Sequence, residues 1–388
     1  MRTVQPSTMI GAYGFEQDRV PRDEFQIRLR ALHGIMDAKA CSAMLVYGDA
    51  CEHSDLAYFT NFIPRHRWAL ALLPRQGEAR ILVSMSSRDM PAQRLMTWIP
   101  DVMSAWTWES VFDPWLAALG SDAPKDIDQV NIGTVNIGTV RFDLMRPPLM
   151  ASLEKSLGNR FRLVGADPEV RARATRPREL SLIRDACTVV RAGAAAFLQA
   201  WRDGSGVETA ALAGERSARA LAAQDVRTLV SLDGGRTLAP FRGAFETKSG
   251  SLPLLGYIAV KHRGYWGESF VSAAEPSGAI QQCAQAGLAA AIKCAGPGMS
   301  AAELHARATQ PLGAHPLHSV LSGSVGRRIG LSSNEGGELR RDARHALEAG
   351  DVYALHVGLS DPRAGGAVAS AMVAITPKGC QVLVRPPE

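Results

Sequence analysis

Apolar residues in the first part of the chain follow two different spacings. Between residues 25 and 36 they recur every three or four positions, as on one face of an α-helix. Residues 43–47 form a continuous apolar run, and residues 70–74 and 79–83 form two more that are joined by a Gln-Gly turn. Short apolar runs bounded by turn residues are typical of buried strands. This alternation of helix and strand predicts an α/β domain in the first part of the chain.

The rest of the chain has longer helical stretches, and its strands do not alternate with them regularly. The spacing of apolar residues predicts helices at 179–198, 208–223, 278–295 and 300–310, and strands at 254–260, 351–358 and 369–376. Helices interspersed with non-sequential antiparallel strands favour an α+β domain. An Arg- and Pro-rich segment at 167–178 is interpreted as a hinge. We therefore place an N-terminal domain at residues 1–165 and a C-terminal domain at residues 170–388.

Length and composition are those of a two-domain globular protein. The chain has 388 residues, 46% of them hydrophobic and 21% charged, with a formal net charge of +5. Its basic residues are spread along the sequence, so we expect no nucleic-acid partner. The apolar runs are too short for a membrane span, the N-terminus has no signal pattern, and the six cysteines form no CxxC pair. These features predict a cytoplasmic protein with reduced thiols and no membrane contact.

Five short motifs follow one another in a recognisable order. They are DLAYFTNF at 55–62, GYWGE at 264–268, GRRIGL at 326–331 followed by Glu335, LEAGD at 347–351, and ITPKG at 375–379. Each is a weak signal alone, but in this order they resemble the creatinase/prolidase/aminopeptidase P family, which has the "pita-bread" fold. The resemblance implies an α+β protein, with a C-terminal pita-bread domain that follows a smaller N-terminal α/β domain. It also implies that strands 254–260 and 369–376 share one sheet.

The resemblance also points to a metal site whose ligands have been replaced. Metal-dependent members of the family hold two metal ions with two Asp, one His and two Glu side chains. The matching positions here, followed by the position of a second family His, are Tyr257, Glu268, Arg327, His356 and Ser370, and Asn334. A two-metal centre needs several carboxylate and imidazole ligands on each ion. Only Glu268 and His356 could bind a metal, so the sequence predicts neither a metal site nor a cofactor.

Glu268 and His356 are the candidate catalytic residues. A carboxyl group buried near Tyr265 and Trp266 would have a raised pKa and could act as a general acid or base. The alternative for Glu268 is a structural ion pair with one of the many arginines. His356 lies in an apolar strand, where a histidine is usually a hydrogen-bonded core residue. It also occupies a ligand position of the family, and an imidazole can exchange protons near neutral pH.

Arginines are the candidates for binding a substrate carboxylate. A guanidinium binds a carboxylate through two parallel hydrogen bonds. Arg327 stands at a ligand position, and the surroundings of Arg340 are similar to those of the arginine that holds the substrate carboxylate in creatinase. The alternative for Arg327 is an ordinary surface arginine. Tyr257, Asn334 and Ser370 complete the predicted substrate-binding set, so the expected ligand is a small, anionic molecule.

The resemblance further implies association. Two-domain members of the family form dimers in which the N-domain of one chain closes over the C-domain cleft of the other. In creatinase the partner subunit supplies a substrate-binding arginine from the region that matches Arg65 and Arg67. We therefore expect a homodimer in which one of these two arginines reaches the partner's cleft.

Three functional hypotheses follow from the resemblance. Creatinase lacks the metal and uses side-chain acids and bases, so the leading hypothesis is a metal-independent creatinase-like hydrolase acting on a C–N bond of a small carboxylate-bearing molecule. The chain has no histidine at 238–240, however, where creatinase has its catalytic histidine. The second hypothesis is a catalytically inactive pita-bread protein that binds a peptide or protein. The third, ranked lowest, is an Xaa-Pro metallopeptidase with an aberrant ligand set.

Overall fold

The chain folds into two compact units. The computed structural model describes residues 14–65, 67–121, 135–231, 233–240, 254–273, 278–313, 323–361 and 365–385. The two units divide between Arg173 and Ala174, inside the Arg- and Pro-rich segment. None of the helices in these ranges is both long enough and apolar enough to cross a membrane.

The N-terminal unit is built on one six-stranded sheet. Its strands are β1 (Cys41–Asp49), β2 (Trp68–Pro74), β3 (Arg80–Val83), β4 (Asp101–Ser104), β5 (Val135–Val140) and β6 (Phe161–Gly165). Its helices are α1 (Arg22–Ala38), α2 (Ser54–Thr60), α3 (Met90–Gln93), α4 (Trp108–Ser121), α5 (Pro147–Leu157) and α6 (Asp167–Arg171). The strand order is β4-β3-β2-β1-β5-β6, and only the β1–β2 and β2–β3 pairs are antiparallel. The predicted α/β domain is confirmed.

One face of this sheet is covered by α4. Leu45 and Tyr47 are two residues apart on β1, so they point to the same face, and both are buried. Trp108 and Phe112, one turn apart on α4, pack in the same core with ring centroids 4.5 Å apart. Burying each of these large side chains contributes about 2–3 kcal/mol, which holds the centre of the sheet in place.

The C-terminal unit has an α+β architecture with two four-stranded sheets. Its helices are α7 (Pro177–Arg202), α8 (Val207–Ala220), α9 (Ala279–Cys294) and α10 (Ala301–Thr309). One sheet has the order β10-β9-β7-β8, from β7 (Asp225–Val230), β8 (Ala239–Pro240), β9 (Leu254–His262) and β10 (Tyr265–Ala273). The other has the order β11-β12-β13-β14, from β11 (Gly326–Arg328), β12 (Val352–Asp361), β13 (Gly365–Thr376) and β14 (Gly379–Val384). The α+β fold class is confirmed.

The expectation that strands 254–260 and 369–376 share one sheet is wrong. They lie in β9 and β13, which belong to different sheets. The sheets meet where β10 faces β13, a boundary that we call the seam. A continuous sheet needs backbone N–H groups that donate to backbone carbonyls across each pair of strands, and side-chain acceptors replace those carbonyls at the seam.

Helix α7 packs closely behind the seam. A Cβ atom on Gly267 of β10 would lie 3.0 Å from the backbone of Ala186 in α7. Glycine therefore allows the helix to approach the strand directly beside Glu268. The helix begins with Pro177 in its first turn, and the Glu179 carboxylate accepts a hydrogen bond from the Arg176 N–H (3.0 Å), which caps its N-terminus.

Candidate active site

The candidate site lies on the seam between the two sheets. The backbone N–H of Glu268 donates to Sδ of Met372 (3.2 Å), and that of Phe270 donates to Oγ of Ser370 (2.9 Å). Residues two apart on a strand face the same side, so Glu268 and Phe270 present their side chains together. His356 is paired directly with Ser370 in the β12–β13 ladder, which brings the imidazole to the same place.

Glu268 is the centre of the site. It is 4% exposed, and its Oε2 atom accepts hydrogen bonds from the Tyr257 hydroxyl (2.8 Å) and from Nη2 of Arg327 (2.5 Å). Burial raises the pKa of the Glu268 carboxyl, while the Arg327 guanidinium and the Tyr257 hydroxyl act in the opposite direction. Burial together with the Glu268 charge also raises the pKa of Tyr257 well above its ordinary value, so this hydroxyl keeps its proton.

Arg327 is held from two sides. Its Nε donates to the backbone carbonyl of Ser333 (2.9 Å), and its Nη2 donates to Glu268. Burial disfavours the guanidinium charge, but the Glu268 carboxylate more than offsets this, so the pKa of Arg327 is raised. The arginine is therefore a fixed positive charge, and the alternative of an ordinary surface arginine does not describe it.

His356 is a buried, neutral imidazole. It is 5% exposed, its ring lies 5.8 Å from that of Phe270, and its Nδ1 lies 3.9 Å from Oε1 of Glu268. Nδ1 has no hydrogen-bond partner among the described residues. Burial, followed by the Arg327 charge, lowers the pKa of His356 to about 3. A pKa this low does not support proton exchange by this ring near neutral pH, so the predicted role of His356 stays a prediction.

Two predicted residues lie outside this cluster. Arg340 is half exposed and forms a 3.6 Å ion pair with Asp342. Asn334 is exposed; its Nδ2 lies 3.4 Å from a carboxylate oxygen of Glu338, and its Oδ1 accepts a hydrogen bond from the backbone N–H of Gly336. Across the described parts of the chain, neither side chain makes a hydrogen bond or ion pair with Glu268.

Arg65 and Arg67 belong to the N-terminal unit. Arg65 is half-buried, and Arg67 is exposed with a positive φ of 49°. The Arg67 backbone carbonyl accepts a hydrogen bond from the N–H of Ala50 (3.1 Å), which fixes the start of β2.

Three residues of the site were not predicted from the sequence. Phe270 and Met372 lie two positions after Glu268 and Ser370, so strand alternation could have identified them once β10 and β13 were recognised. The third is Glu338, whose negative charge raises the pKa of both Glu268 and Arg327. It lies in an irregular segment, and nothing in the local sequence places it near the seam.

Family models agree with this division of the chain. The Creatinase/Prolidase N-terminal domain matches residues 28–172, and metallopeptidase family M24 matches residues 181–377, just over half of the chain. The protein belongs to metallopeptidase family M24. A search of curated proteins finds no match.

Solved structures of a prolidase and two aminopeptidases share its fold at low sequence identity. The prolidase from Pyrococcus horikoshii OT3 is 16% identical with a TM-score of 0.72, and the match covers 93% of this chain and 98% of that one. The X-Pro aminopeptidase from Thermotoga maritima MSB8 is 18% identical with a TM-score of 0.72, covering 92% and 98%. The aminopeptidase PepP of Pseudomonas aeruginosa is 16% identical with a TM-score of 0.72, covering 94% and 95%. The pita-bread fold is thereby confirmed.

The residues at the seam do not fit the two-metal centre of metal-dependent M24 members. They provide one carboxylate and one imidazole, and the carboxylate is already bonded to a guanidinium. Within the described ranges, no group of three or more His, Cys, Asp or Glu side chains is arranged to hold a metal ion. Tyrosine, arginine and serine at the remaining positions cannot replace the missing carboxylates.

Proposed function

We propose that the C-terminal unit is a metal-independent, creatinase-like hydrolase that cleaves a C–N bond of a small carboxylate-bearing molecule. The observation that supports this best is the 2.5 Å contact between Arg327 and Glu268. In this arrangement a guanidinium occupies a former ligand position and binds the carboxylate that would otherwise bind a cation. The fixed positive charge favours an anionic ligand.

In this proposal Glu268 is the general acid or base. Burial raises its pKa, which brings a carboxyl group closer to the pH at which it can both take and return a proton. Tyr257 and Arg327 hold the carboxylate in one orientation through Oε2, and Oε1 faces His356. Proton transfer therefore takes place at Oε1.

Arg327 is the proposed anchor for the substrate carboxylate. Its Nε and Nη2 atoms are engaged by Ser333 and Glu268, and the guanidinium keeps its positive charge at the seam. Arg340 remains a second proposed anchor from its resemblance to creatinase, and Tyr257, Asn334 and Ser370 remain proposed contacts. His356 contributes a neutral imidazole at the base of the site.

A catalytically inactive member that binds a peptide or protein is the second candidate. One observation favours it: the Glu268 carboxylate already accepts two hydrogen bonds through Oε2, one of which is also its ion pair with Arg327. Such a network can simply stabilise a fold. The Xaa-Pro metallopeptidase is the third candidate. The match to metallopeptidase family M24 favours it, whereas the donor set at the seam does not.

The test is hydrolysis of a panel of dipeptides, N-acyl amino acids and guanidino acids in ¹⁸O-labelled water, with Glu268→Gln as the first variant. The proposal expects one labelled oxygen in the product, and a loss of about a hundredfold in kcat for the variant. No turnover of any compound by the wild type, with tight binding of one of them, would favour the binding protein instead.

A pair of arginine variants separates the two proposed anchors. Arg327→Lys keeps the charge but loses the planar donor geometry, so KM should rise by about tenfold, which corresponds to one charged hydrogen bond. Arg340→Lys is the matched variant at the half-exposed position. A larger rise in KM for Arg340→Lys than for Arg327→Lys would transfer the anchoring role to Arg340.

The proposed assembly is a cytoplasmic homodimer that has no nucleic-acid partner. The N-terminal unit of one subunit would supply Arg65 or Arg67 to the cleft of the other, as the family resemblance implies. Sedimentation at micromolar concentration should give a dimer. The substitutions Arg65→Ala and Arg67→Ala, made separately, should identify the arginine that raises KM, and a monomer that retains full activity would contradict the arrangement.

A further inference from the structure

A gap separates the two candidate catalytic side chains. His356 Nδ1 lies 3.9 Å from Oε1 of Glu268, which is beyond the range of an N–H···O hydrogen bond. Tyr257 and Arg327 both donate to the other carboxylate oxygen, Oε2. Nδ1 is buried, and no described residue offers it a hydrogen bond. Two buried polar atoms therefore lie 3.9 Å apart without a hydrogen bond between them.

The charges around the gap determine what can bridge it. The Arg327 guanidinium is bonded to the same carboxylate and disfavours a cation, while the carboxylate itself disfavours an anion. A neutral group that accepts at one end and donates at the other satisfies both atoms. The oxygen of a water molecule can lie about 2.8 Å from each of two atoms at this separation, and a buried water usually makes about three hydrogen bonds.

The opposite strand supplies a third polar group. Ser370 lies directly across the β12–β13 ladder from His356 and is 4% exposed. Its Oγ accepts the N–H of Phe270, so the hydroxyl proton is available for another acceptor. Paired residues on one face of an antiparallel sheet have Cβ atoms about 5 Å apart, which places this hydroxyl beside the imidazole.

We infer that Glu268 Oε1 and His356 Nδ1 bind one water molecule between them, and that this water is the nucleophile of the reaction. The inference rests on the proposed hydrolase function. The water oxygen forms a new bond to the substrate carbon while Oε1 takes one of its protons. The C–N bond then breaks, and the proton passes from Oε1 to the departing nitrogen. The products are an amine together with an acid when the substrate is an amide, or with urea when it is a guanidino acid, and Glu268 returns to its starting state.

His356 acts in this scheme as a hydrogen-bonding residue that orients the water. A neutral ring is suited to this role because Nδ1 can form a hydrogen bond with the water and the ring adds no charge beside Arg327. Burial and Arg327 keep it neutral at physiological pH by lowering its pKa to about 3. Glu268 alone transfers protons in this scheme, whereas the sequence predicted that Glu268 and His356 both do so.

The first test is a high-resolution crystal structure of the wild-type protein and of His356→Phe, which keeps a ring but removes both nitrogen atoms. The inference expects an ordered water within about 3.2 Å of both atoms in the wild type, and its loss in the variant. A direct hydrogen bond between Nδ1 and Oε1, or a wild-type gap without an ordered water, would overturn it. The wild-type structure decides this point even if the variant does not fold.

The second test uses kinetics on whichever compound of the panel is hydrolysed. His356→Gln should lower kcat by about tenfold or more, with KM within about twofold of the wild type, because the water and not the substrate loses a contact. His262→Gln changes another buried histidine of the same unit, on β9, and should keep the wild-type kcat. An equal effect of both variants on kcat would show that His356 acts only through stability.

The two proposals can fail separately. Hydrolysis by a protein whose gap holds no ordered water overturns the inference and leaves the hydrolase proposal intact. An ordered water in the gap, with no compound of the panel hydrolysed, overturns the hydrolase proposal and the nucleophilic role together, and leaves a bound water that is structural.

Discussion

Each unit buries a carboxylate beside an arginine, Asp55 in the N-terminal unit and Glu268 in the C-terminal unit. The groups that surround the two carboxylates differ. In the N-terminal unit Asp55, 2% exposed, pairs with Arg173 at 2.7 Å. In the C-terminal unit Glu268, 4% exposed, pairs with Arg327 at 2.5 Å, and His356 lies beside it without a hydrogen bond at 3.9 Å. Both carboxylates lie in motifs of the family resemblance, so the motifs alone do not tell which carboxylate is structural and which is a candidate for function.

The surroundings show what separates the two clusters. The Asp55 cluster includes a second arginine, Arg171, at 3.7 Å, and the guanidinium groups of Arg28 and Arg173 lie 4.4 and 4.3 Å from the ring of Tyr58. Two arginines therefore pair with Asp55, and two guanidinium groups lie over one aromatic ring, as expected of a structural cluster. In the Glu268 cluster, an imidazole nitrogen of His356 is buried without a hydrogen-bond partner among the described residues. A buried polar cluster that is not internally complete is the better candidate for function.

The largest effect is expected at the structural cluster. Asp55→Asn removes the charge that Arg173 and Arg171 share, and should lower the free energy of unfolding by about 3 kcal/mol, because breaking a buried ion pair leaves unbalanced charge. Urea unfolding followed by tryptophan fluorescence measures this, since five of the seven tryptophans lie in this unit. Asp143→Asn, at a mostly exposed carboxylate, is the control. Similar small losses for both variants would remove the distinction between the clusters.

The next effect is a pH dependence of stability at His356. Its pKa is about 3 in the folded protein and about 6.5 when unfolded, so the unfolded state binds more protons between these values and stability falls as the pH is lowered. From pH 7 to pH 5 the wild type should lose about 2 kcal/mol that His356→Asn does not lose. Urea unfolding of both proteins at both pH values gives the difference. Parallel losses would mean that His356 titrates normally in the fold.

A smaller effect is expected when the Glu268–Arg327 ion pair is removed as a whole. Glu268→Gln leaves Arg327 without its partner and should destabilise the protein, but adding Arg327→Met should restore the free energy of unfolding to within about 1 kcal/mol of the wild type. Thermodynamic coupling between the two changes is obtained from the double-mutant cycle. A double variant that is less stable than either single variant would show that this cluster is as structural as the one at Asp55.

The smallest effect is expected at Arg340. It is half exposed, and its partner Asp342 is 84% exposed, so Arg340→Ala should change the free energy of unfolding by no more than about 0.5 kcal/mol. The same urea titration provides the measurement. A loss comparable to that of Asp55→Asn would mean that Arg340 belongs to a buried network.

Local sequence was sufficient to predict the elements whose apolar residues follow a regular pattern. Strands β9, β12 and β13 and helices α7 to α10 all coincide with predicted segments, because their hydrophobic period reports directly on burial. Strand β10 was not predicted, since the segment YWGESFVSA mixes polar and small residues with aromatic ones. Backbone N–H groups of β10 donate to side chains of β13. A contact between residues 100 positions apart produces no pattern in the local sequence.

Tyr257, Glu268, Arg327 and His356, which the family resemblance grouped, lie together at the seam, although no local pattern links them. Asn334 and Arg340 were expected in the same site but lie outside the cluster. Both are in the irregular segment after β11, whose path is set by its own turns. The protonation state of His356 also could not be predicted from the sequence. It depends on burial and on the position of the Arg327 charge, which are properties of the folded seam.

Metal content tests the central claim most directly. Wild-type protein and Glu268→Gln would each be incubated with Zn²⁺, Mn²⁺ and Co²⁺ in turn, desalted and subjected to elemental analysis. The account predicts less than about 0.1 metal ion per chain in both proteins, because one carboxylate bonded to Arg327 and one imidazole cannot form a metal centre. About one or two ions per chain in the wild type, lost in Glu268→Gln, would contradict it.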